Sequence, residues 1–360
     1  MNKLIELRKR MKERALDAML IINRENSNKA TSWYISGFSG SLALLLITGN
    51  SEYIITDSRY FTQASMQTSF KLVPYKGGGI EGIKIILDQL ISTNAIKRLG
   101  FEAERITYFY FQNLLSDLGV ELIESDDIIK TLRMVKTEEE VEKIKKAVNV
   151  AEASLIETLN MVKPGVTERE IAARLEYEMK KRGGNPSFET IAVSGNRSAI
   201  VHGTPSDKKI SQGEFLLIDF GAIVDGYCSD ITRTFAIGEP SDEMVSVYNI
   251  VYEAQKEARE AARAGITGAE LHNVAKTIIS NAGYGEYFGH GLGHGLGMEV
   301  HEHPSANPLN TEPLPEHSVI TIEPGIYLPN KFGVRIEDDV FLTKEGCIVL
   351  TSLDRELKTL

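Results

Sequence analysis

Four of the chain's seven histidines fall in one glycine-rich stretch, GHGLGHGLGMEVHEH, which runs from Gly289 to His303. Imidazole at this density suits metal ligation or proton transfer near neutral pH. Glycine at positions 289, 291, 293, 295 and 297 is incompatible with a stable helix, so His290 and His294 are not an i,i+4 helical metal pair. The chain contains no HExxH motif. On an extended backbone His290 and His294 point to one face, and the glycines between them let the backbone approach a site closely. Spacing alone leaves open which of the four is a ligand.

Carboxylates complete the chemistry. LLIDFG (216–221) and ITIEPG (320–325) each read as an apolar strand ending in a carboxylate and a glycine turn, which places Asp219 and Glu323 alike. A second carboxylate follows each in a strand-like run, Asp230 in SDITRTF and Glu337 in VRIEDDV. His202 precedes Asp219 much as His301 precedes Glu323. Upstream, PGVTEREIAARL (164–175) has a counterpart in AGITGAELHNVA (264–275), offset by 100 residues. In each, a Thr-x-x-Glu capping box, Thr167/Glu170 or Thr267/Glu270, opens an amphipathic helix. Two similar halves, each offering a histidine and two strand carboxylates, predict a pseudo-two-fold fold with its site on the axis. Four carboxylates sharing one desolvated site would repel until some protonated, a conflict that divalent cations remove. Two metals, four carboxylates and one imidazole make a near-neutral cluster. Oxygen-rich ligation with one nitrogen suits Mn²⁺, Co²⁺, Fe²⁺ or Zn²⁺, and the lack of thiolate argues against a structural zinc.

The elements that must position these residues fall into two blocks. Residues 1–127 alternate helix and strand patterns, an α/β signature. AMLII (18–22) reads as a strand, SLALLLIT (41–48) and EYIIT (52–56) as a hairpin about Gly49-Asn50-Ser51, and helices are predicted near 58–67, 81–93 and 107–118. Residues 128–136 read as a linker. In residues 137–360, a Thr137/Glu140 capping box opens a long helix with the stripe Val141, Ile144, Val148, Ala151, Leu155 and Leu159. A net charge of −10 and a pI near 5.4 argue against a nucleic-acid partner. Cys228 and Cys347 stand in no metal-binding spacing and read as two reduced thiols. The charged N-terminus has no apolar core of a secretory signal, and the longest apolar run, Leu42–Ile47, is too short to span a bilayer. The expectation is a cytoplasmic protein with no membrane partner.

GHGLGHGLGMEVHE, together with IDFG, SDITRT, TIEPGIY and GVRIEDD, resembles the metallopeptidase family with the pita-bread fold, which includes methionine aminopeptidase, prolidase, aminopeptidase P and creatinase. The resemblance covers roughly residues 137–355, with all motifs in order. It implies a creatinase-like N-terminal α/β domain followed by a pseudo-two-fold pita-bread catalytic domain. Carried over residue by residue, Asp219, Asp230, His294, Glu323 and Glu337 match the five metal ligands of that family, with Asp230 and Glu337 bridging two divalent ions, Mn²⁺ foremost. His202 and His301 match histidines that contact substrate and assist proton movement, alongside Glu323. His290 matches the histidine lining the pocket for the residue after the scissile bond. Arg335, two residues before Glu337, can brace the bridging carboxylate or bind substrate. His303 is read as a support for the site, and His272 and His317 as surface or packing residues.

The intact ligand set argues against a metal-free hydrolase and against an inactive binding module. The long N-terminal block argues against methionine aminopeptidase. What remains is a dinuclear-metal exopeptidase acting on proline-containing peptides, expected as a homodimer. YISGFSGSLALLLITG and ITDSRYFTQA resemble the N-terminal domain of aminopeptidase P, whereas the catalytic region resembles small microbial prolidases at least as closely. The expectation is therefore an Xaa-Pro aminopeptidase, with an Xaa-Pro dipeptidase as the alternative.

Overall fold

The computed structural model describes residues 3–360. The chain divides into two compact units, Met1–Leu132 and Arg133–Leu360. The first is built on a six-stranded sheet in the order Lys71–Tyr75, Glu52–Asp57, Leu42–Thr48, Ala18–Arg24, Arg98–Phe101, Glu121–Glu124. Ala18–Arg24 pairs antiparallel with Leu42–Thr48 and parallel with Arg98–Phe101. All seven residues of Leu42–Thr48 are buried, because both faces of the sheet are covered and a continuous apolar run suits a strand so placed. On one face, Ile83, Leu87 and Ile91 of the helix Gly79–Thr93 pack against Leu20, Leu44, Leu46 and Ile55. The helix expected over 107–118 is a single turn, Tyr108–Tyr110, that widens into a π-helical turn over Phe111–Leu115. Residues Asp126–Met134, which overlap most of the 128–136 stretch read as a linker, form a helix.

The second unit repeats one plan. In its first half, helices Glu138–Leu159 and Glu168–Lys181 precede the antiparallel strands Ile191–Ser194, Glu214–Phe220 and Ile231–Ile237, with Glu214–Phe220 in the middle. In its second half, helices Asp242–Ala261 and Gly268–Asn281 precede a five-stranded sheet ordered Glu302–Ala306, Gly293–Gly295, Val319–Ile322, Asp338–Leu342, Cys347–Val349. A two-stranded ribbon, Gly325–Leu328 with Phe332–Arg335, belongs to the same half.

The repeat extends to hydrogen bonds. Gly165 N donates to Ile210 O at 2.9 Å and Ile210 N to Val166 O at 2.8 Å; Gly265 N donates to Leu314 O at 2.9 Å and Leu314 N to Ile266 O at 2.8 Å. Gly165 and Gly265 take φ of 94° and 88°, a left-handed conformation that strains any residue with a Cβ. Two residues on, Thr167 Oγ1 accepts from Glu170 N at 3.2 Å and Thr267 Oγ1 from Glu270 N at 3.0 Å, and both boxes are closed by the glutamate reaching back. A buried core joins Phe215, Val247, Tyr248, Val251, Leu271, Ile320, Ile326 and Val340, which fixes the helices of the second half against its strands. No helix among the described residues is long and apolar enough to cross a membrane.

Candidate metal centre

Strand ends deliver the carboxylates. Asp219 is the penultimate residue of Glu214–Phe220, opposite Thr232 in the antiparallel register. Glu323 directly follows Val319–Ile322. Asp230 and Glu337, read from sequence as lying within strands, each sit one residue before a strand begins. Their backbones are bound crosswise instead of into a regular ladder: Asp230 N donates to Asp339 Oδ2 at 3.1 Å, and Glu337 N donates to Thr232 O at 3.1 Å. His294 is the central residue of the strand Gly293–Gly295. A Cβ on Gly293 would lie 1.9 Å from Thr321 O, so only glycine lets this strand come so close to the Glu323 strand.

These residues line one cavity of about 920 Å³, together with His202, His290, His301 and Arg335. Donor atoms of Asp230, His294 and Glu337 lie within 4.8 Å of one another. His294 Nε2 is 3.5 Å from Asp230 Oδ2 and 3.4 Å from Glu323 Oε1. Its Nδ1 lies 3.2 Å from Gly295 O, so a proton there donates to the carbonyl and leaves the Nε2 lone pair for a metal. Thr321 Oγ1 accepts from His294 N at 3.1 Å and donates to Glu323 Oε1 at 3.3 Å. Thr232 Oγ1 donates to Glu337 Oε2 at 2.6 Å.

Arg335 is only 2% exposed and spends its guanidinium on the site. Nη2 donates to Asp219 Oδ2 at 2.5 Å, Nε to Thr232 Oγ1 at 3.0 Å and Nη1 to the Tyr327 hydroxyl at 2.7 Å. It therefore braces Asp219 directly and Glu337 through Thr232. Tyr327 Oη also lies 3.0 Å from His290 Nε2, while His290 Nδ1 lies 2.7 Å from Gly291 O. With both nitrogens taken, His290 offers the cavity a ring surface. His202 and His301 are exposed to the cavity, and the His301 ring packs edge-on against His294 with centroids 4.2 Å apart. His303 is exposed and does not line the cavity. His272 is buried and stacked on Phe288, whereas His317 is exposed and stacked on Phe341.

Electrostatics show what the cluster is built to hold. Burial, then the charges of Glu337 and Asp219, push Asp230 well above the usual carboxylate range. Burial, then Glu323 and Asp219, do the same to Glu337. Glu323 is raised to about 8 by burial and by Asp219, against the pull of Arg335. Burial and neighbouring His301 lower His294 to about 4, which keeps the imidazole neutral at pH 7, the form whose lone pair can accept a metal. Asp219 Oδ1 is buried without a hydrogen-bond partner. A neutral imidazole, an orphaned carboxylate oxygen and a crowd of mutually repelling carboxylates are the donor set that a hard or borderline divalent cation satisfies.

Sequence reasoning missed Thr232 and Asp339. Each stands two residues beyond a carboxylate of the repeat, Asp230 or Glu337, and each bonds the carboxylate residue of the opposite half. Thr232 and Asp339 share the 107-residue separation of Asp230 and Glu337, so comparing the neighbours of those two carboxylates was the signal that could have found them.

Such a fold and site define a metal-dependent hydrolase. Residues 142–344 match Metallopeptidase family M24 and residues 3–135 the Creatinase/Prolidase N-terminal domain, and the chain belongs to this family. Its architecture is accordingly a creatinase-type N-terminal domain followed by a pita-bread domain. It is 39% identical over 360 residues to the Xaa-Pro dipeptidase of Pyrococcus horikoshii, covering 99% of this chain and 97% of that one. Among solved structures, an X-Pro aminopeptidase from Thermotoga maritima is 46% identical with a TM-score of 0.93, each chain covered over 100%. An Xaa-Pro dipeptidase from Bacillus anthracis is 39% identical with a TM-score of 0.93, each chain covered over 99%.

Proposed function

We propose that this metallopeptidase hydrolyses the bond between a residue and a following proline, with Asp219, Asp230, His294, Glu323 and Glu337 holding two divalent ions, preferentially Mn²⁺. The observation that carries the reading is the five-residue donor set at one cavity, with His294 Nε2 facing both Asp230 and Glu323. Bound metal supplies polarisation of the scissile carbonyl and activation of the attacking water. The chain's own residues do the rest. His301, packed beside His294 and open to the cavity, works with Glu323 to hold and pass a proton to the leaving nitrogen. His202, on the same cavity wall, orients the carbonyl oxygen. Arg335 keeps Asp219 aimed, and His290, held from behind by the Tyr327 hydroxyl, forms the wall against the proline ring. A bond before proline is a tertiary amide without an N–H, so recognition falls to shape and ring contact in place of a backbone donor.

Between the two specificities we propose the aminopeptidase. A free proline carboxylate needs a cation, yet of the two cations lining the cavity Arg335 is committed to Asp219, Thr232 and Tyr327, and Arg169 is exposed beside Asp207. The cavity, near the top of the roughly 300–1,000 Å³ range of small-molecule sites, leaves space for chain beyond the proline. The dipeptidase reading draws on relatives at 39% identity that carry that name. Mn²⁺-supplemented hydrolysis of Xaa-Pro and Xaa-Pro-Yaa decides between them. The expected result is a kcat/KM for the tripeptide at least equal to that for the dipeptide; cleavage of dipeptides alone would make the protein a prolidase.

A further inference from the structure

Arg233 follows Thr232 on the strand Ile231–Ile237, and alternation turns it away from the cavity that Thr232 serves. It is 2% exposed, and a guanidinium carries five N–H donors. All five are used. Nε donates to Asp354 O at 2.8 Å; Nη1 donates to Thr232 O at 2.9 Å and Glu337 O at 2.5 Å; Nη2 donates to Asp338 Oδ1 at 2.8 Å and Leu353 O at 2.8 Å. The peptide units on both sides of Glu337 are thus pinned, its carbonyl by Arg233 and its N–H by Thr232 O.

The far side of this clamp is itself held. Glu152, 5% exposed in the helix Glu138–Leu159, accepts from Ser352 N at 2.5 Å, Ser352 Oγ at 2.5 Å and Leu353 N at 3.0 Å. Those bonds set the direction of the Leu353 and Asp354 carbonyls that Arg233 meets. Thr351 Oγ1 adds a bond to Asp338 Oδ1 at 2.6 Å. A continuous polar chain therefore runs from Glu152 through residues 351–354 and Arg233 to the backbone of Glu337, with no member lining the cavity except Glu337 itself.

We propose that Arg233 is a positioning residue for the metal centre, and that residues 351–354, locked by Glu152, are the brace through which it acts. The inference rests on reading Asp230 and Glu337 as ligands. Both stand at breaks in the sheet, where ladder bonds do not fix the backbone, so their separation depends on crosswise contacts of this kind. Lysine in place of Arg233 keeps the charge but has three donors at a single point and cannot span four peptide units.

The test is Mn²⁺ binding to the full chain, read as free Mn²⁺ by electron paramagnetic resonance, for the wild type, Arg233→Lys and Glu152→Gln. The melting of each metal-free protein and the peptide KM at saturating Mn²⁺ are measured alongside. Outer-shell partners typically change metal affinity by roughly 10–100-fold, and Arg233→Lys is expected to weaken Mn²⁺ binding by that order. Glu152→Gln should weaken it in the same direction although it touches no ligand, and neither change should raise the peptide KM once Mn²⁺ is saturating. A folded variant that melts earlier but binds Mn²⁺ with wild-type affinity overturns the proposal. If Arg233→Lys fails to fold, Glu152→Gln decides alone by the same criterion. A wild-type chain that binds no Mn²⁺ would instead overturn the ligand reading, and this inference with it.

Discussion

Thr232 and Thr321 show how single hydroxyls prepare a charged site before any ion arrives. Each hydroxyl accepts from one neighbour and donates to a carboxylate, Thr232 accepting from Arg335 Nε and donating to Glu337, Thr321 accepting from His294 N and donating to Glu323. Each removes a rotamer that the carboxylate would otherwise sample, so the donor atoms converge without reorganisation. The histidines divide by position. His294 faces Asp230 and Glu323 through Nε2, whereas His301 packs beside it and opens to the cavity. Two substitutions should separate holding metal from doing chemistry. Asp230→Ala is expected to lose roughly one metal equivalent and nearly all turnover, because the remaining buried carboxylates are left without their counter-ion. His301→Ala is expected to retain metal while kcat falls by about 10²–10⁴-fold, the range for a positioned acid–base group. Elemental analysis beside kinetics checks both: an Asp230→Ala protein with full metal and normal kcat is incompatible with the ligand set, and metal loss in His301→Ala would make that histidine a ligand.

At the scale of elements, the second unit rests on a motif used twice: a left-handed glycine, a bridge to a loop strand and a capped helix. Thr267 is the N-cap of Gly268–Asn281, and Thr→Ala at such a position costs about 1 kcal/mol. In a unit of this size that lowers the melting temperature by roughly 2–4 °C, which calorimetry on Thr267→Ala will read; Thr267→Ser, which keeps the oxygen, should restore most of it. An unchanged melting temperature in Thr267→Ala would show that tertiary packing alone holds the helix. This motif was legible in the sequence because its signals are local, with Gly-Val/Ile-Thr and Glu three residues later present in both copies. So were the four carboxylates, whose repeated place before or after an apolar run needs no three-dimensional knowledge. Other parts were not legible. Arg233 reads as one more strand residue until Glu337, Leu353 and Asp354 are brought to it across more than a hundred residues. The breaks at Asp230 and Glu337 were read as strand because β-rich flanks mask a crosswise bond that only the other half supplies. The helix Asp126–Met134 follows from a pattern, Ile128, Ile129 and Leu132 buried on one face, that is too short to separate from a linker by composition.

The molecule as a whole must hold the start of its second unit against strands formed much later in the chain. Arg133 and Lys136 do this by meeting Glu302, with Arg133 Nη2 at 2.5 Å from Oε2 and Lys136 Nζ at 2.7 Å from Oε1. All three side chains are nearly inaccessible, at 7%, 2% and 7% for Arg133, Lys136 and Glu302. Arg133 also reaches Glu299 at 2.8 Å. Burial by itself would raise the Glu302 carboxyl, yet Lys136 and Arg133 outweigh it and hold the group below its ordinary value of 4.5. The sign of the linkage follows. The folded chain binds this proton less readily than the unfolded chain, so the stabilisation is complete above pH 4.5 and is lost as pH falls through the lower folded value. Glu302→Gln keeps the shape but takes the carboxylate from buried Lys136 and leaves Arg133 with Glu299, which costs roughly 3–5 kcal/mol at neutral pH. Urea unfolding of the wild type and Glu302→Gln between about pH 3 and 7 should show the largest difference near neutrality. The two curves should draw together in acid, where the wild-type glutamate is itself protonated. A difference that stays constant across this range would mean that the pair contributes through packing and not through charge.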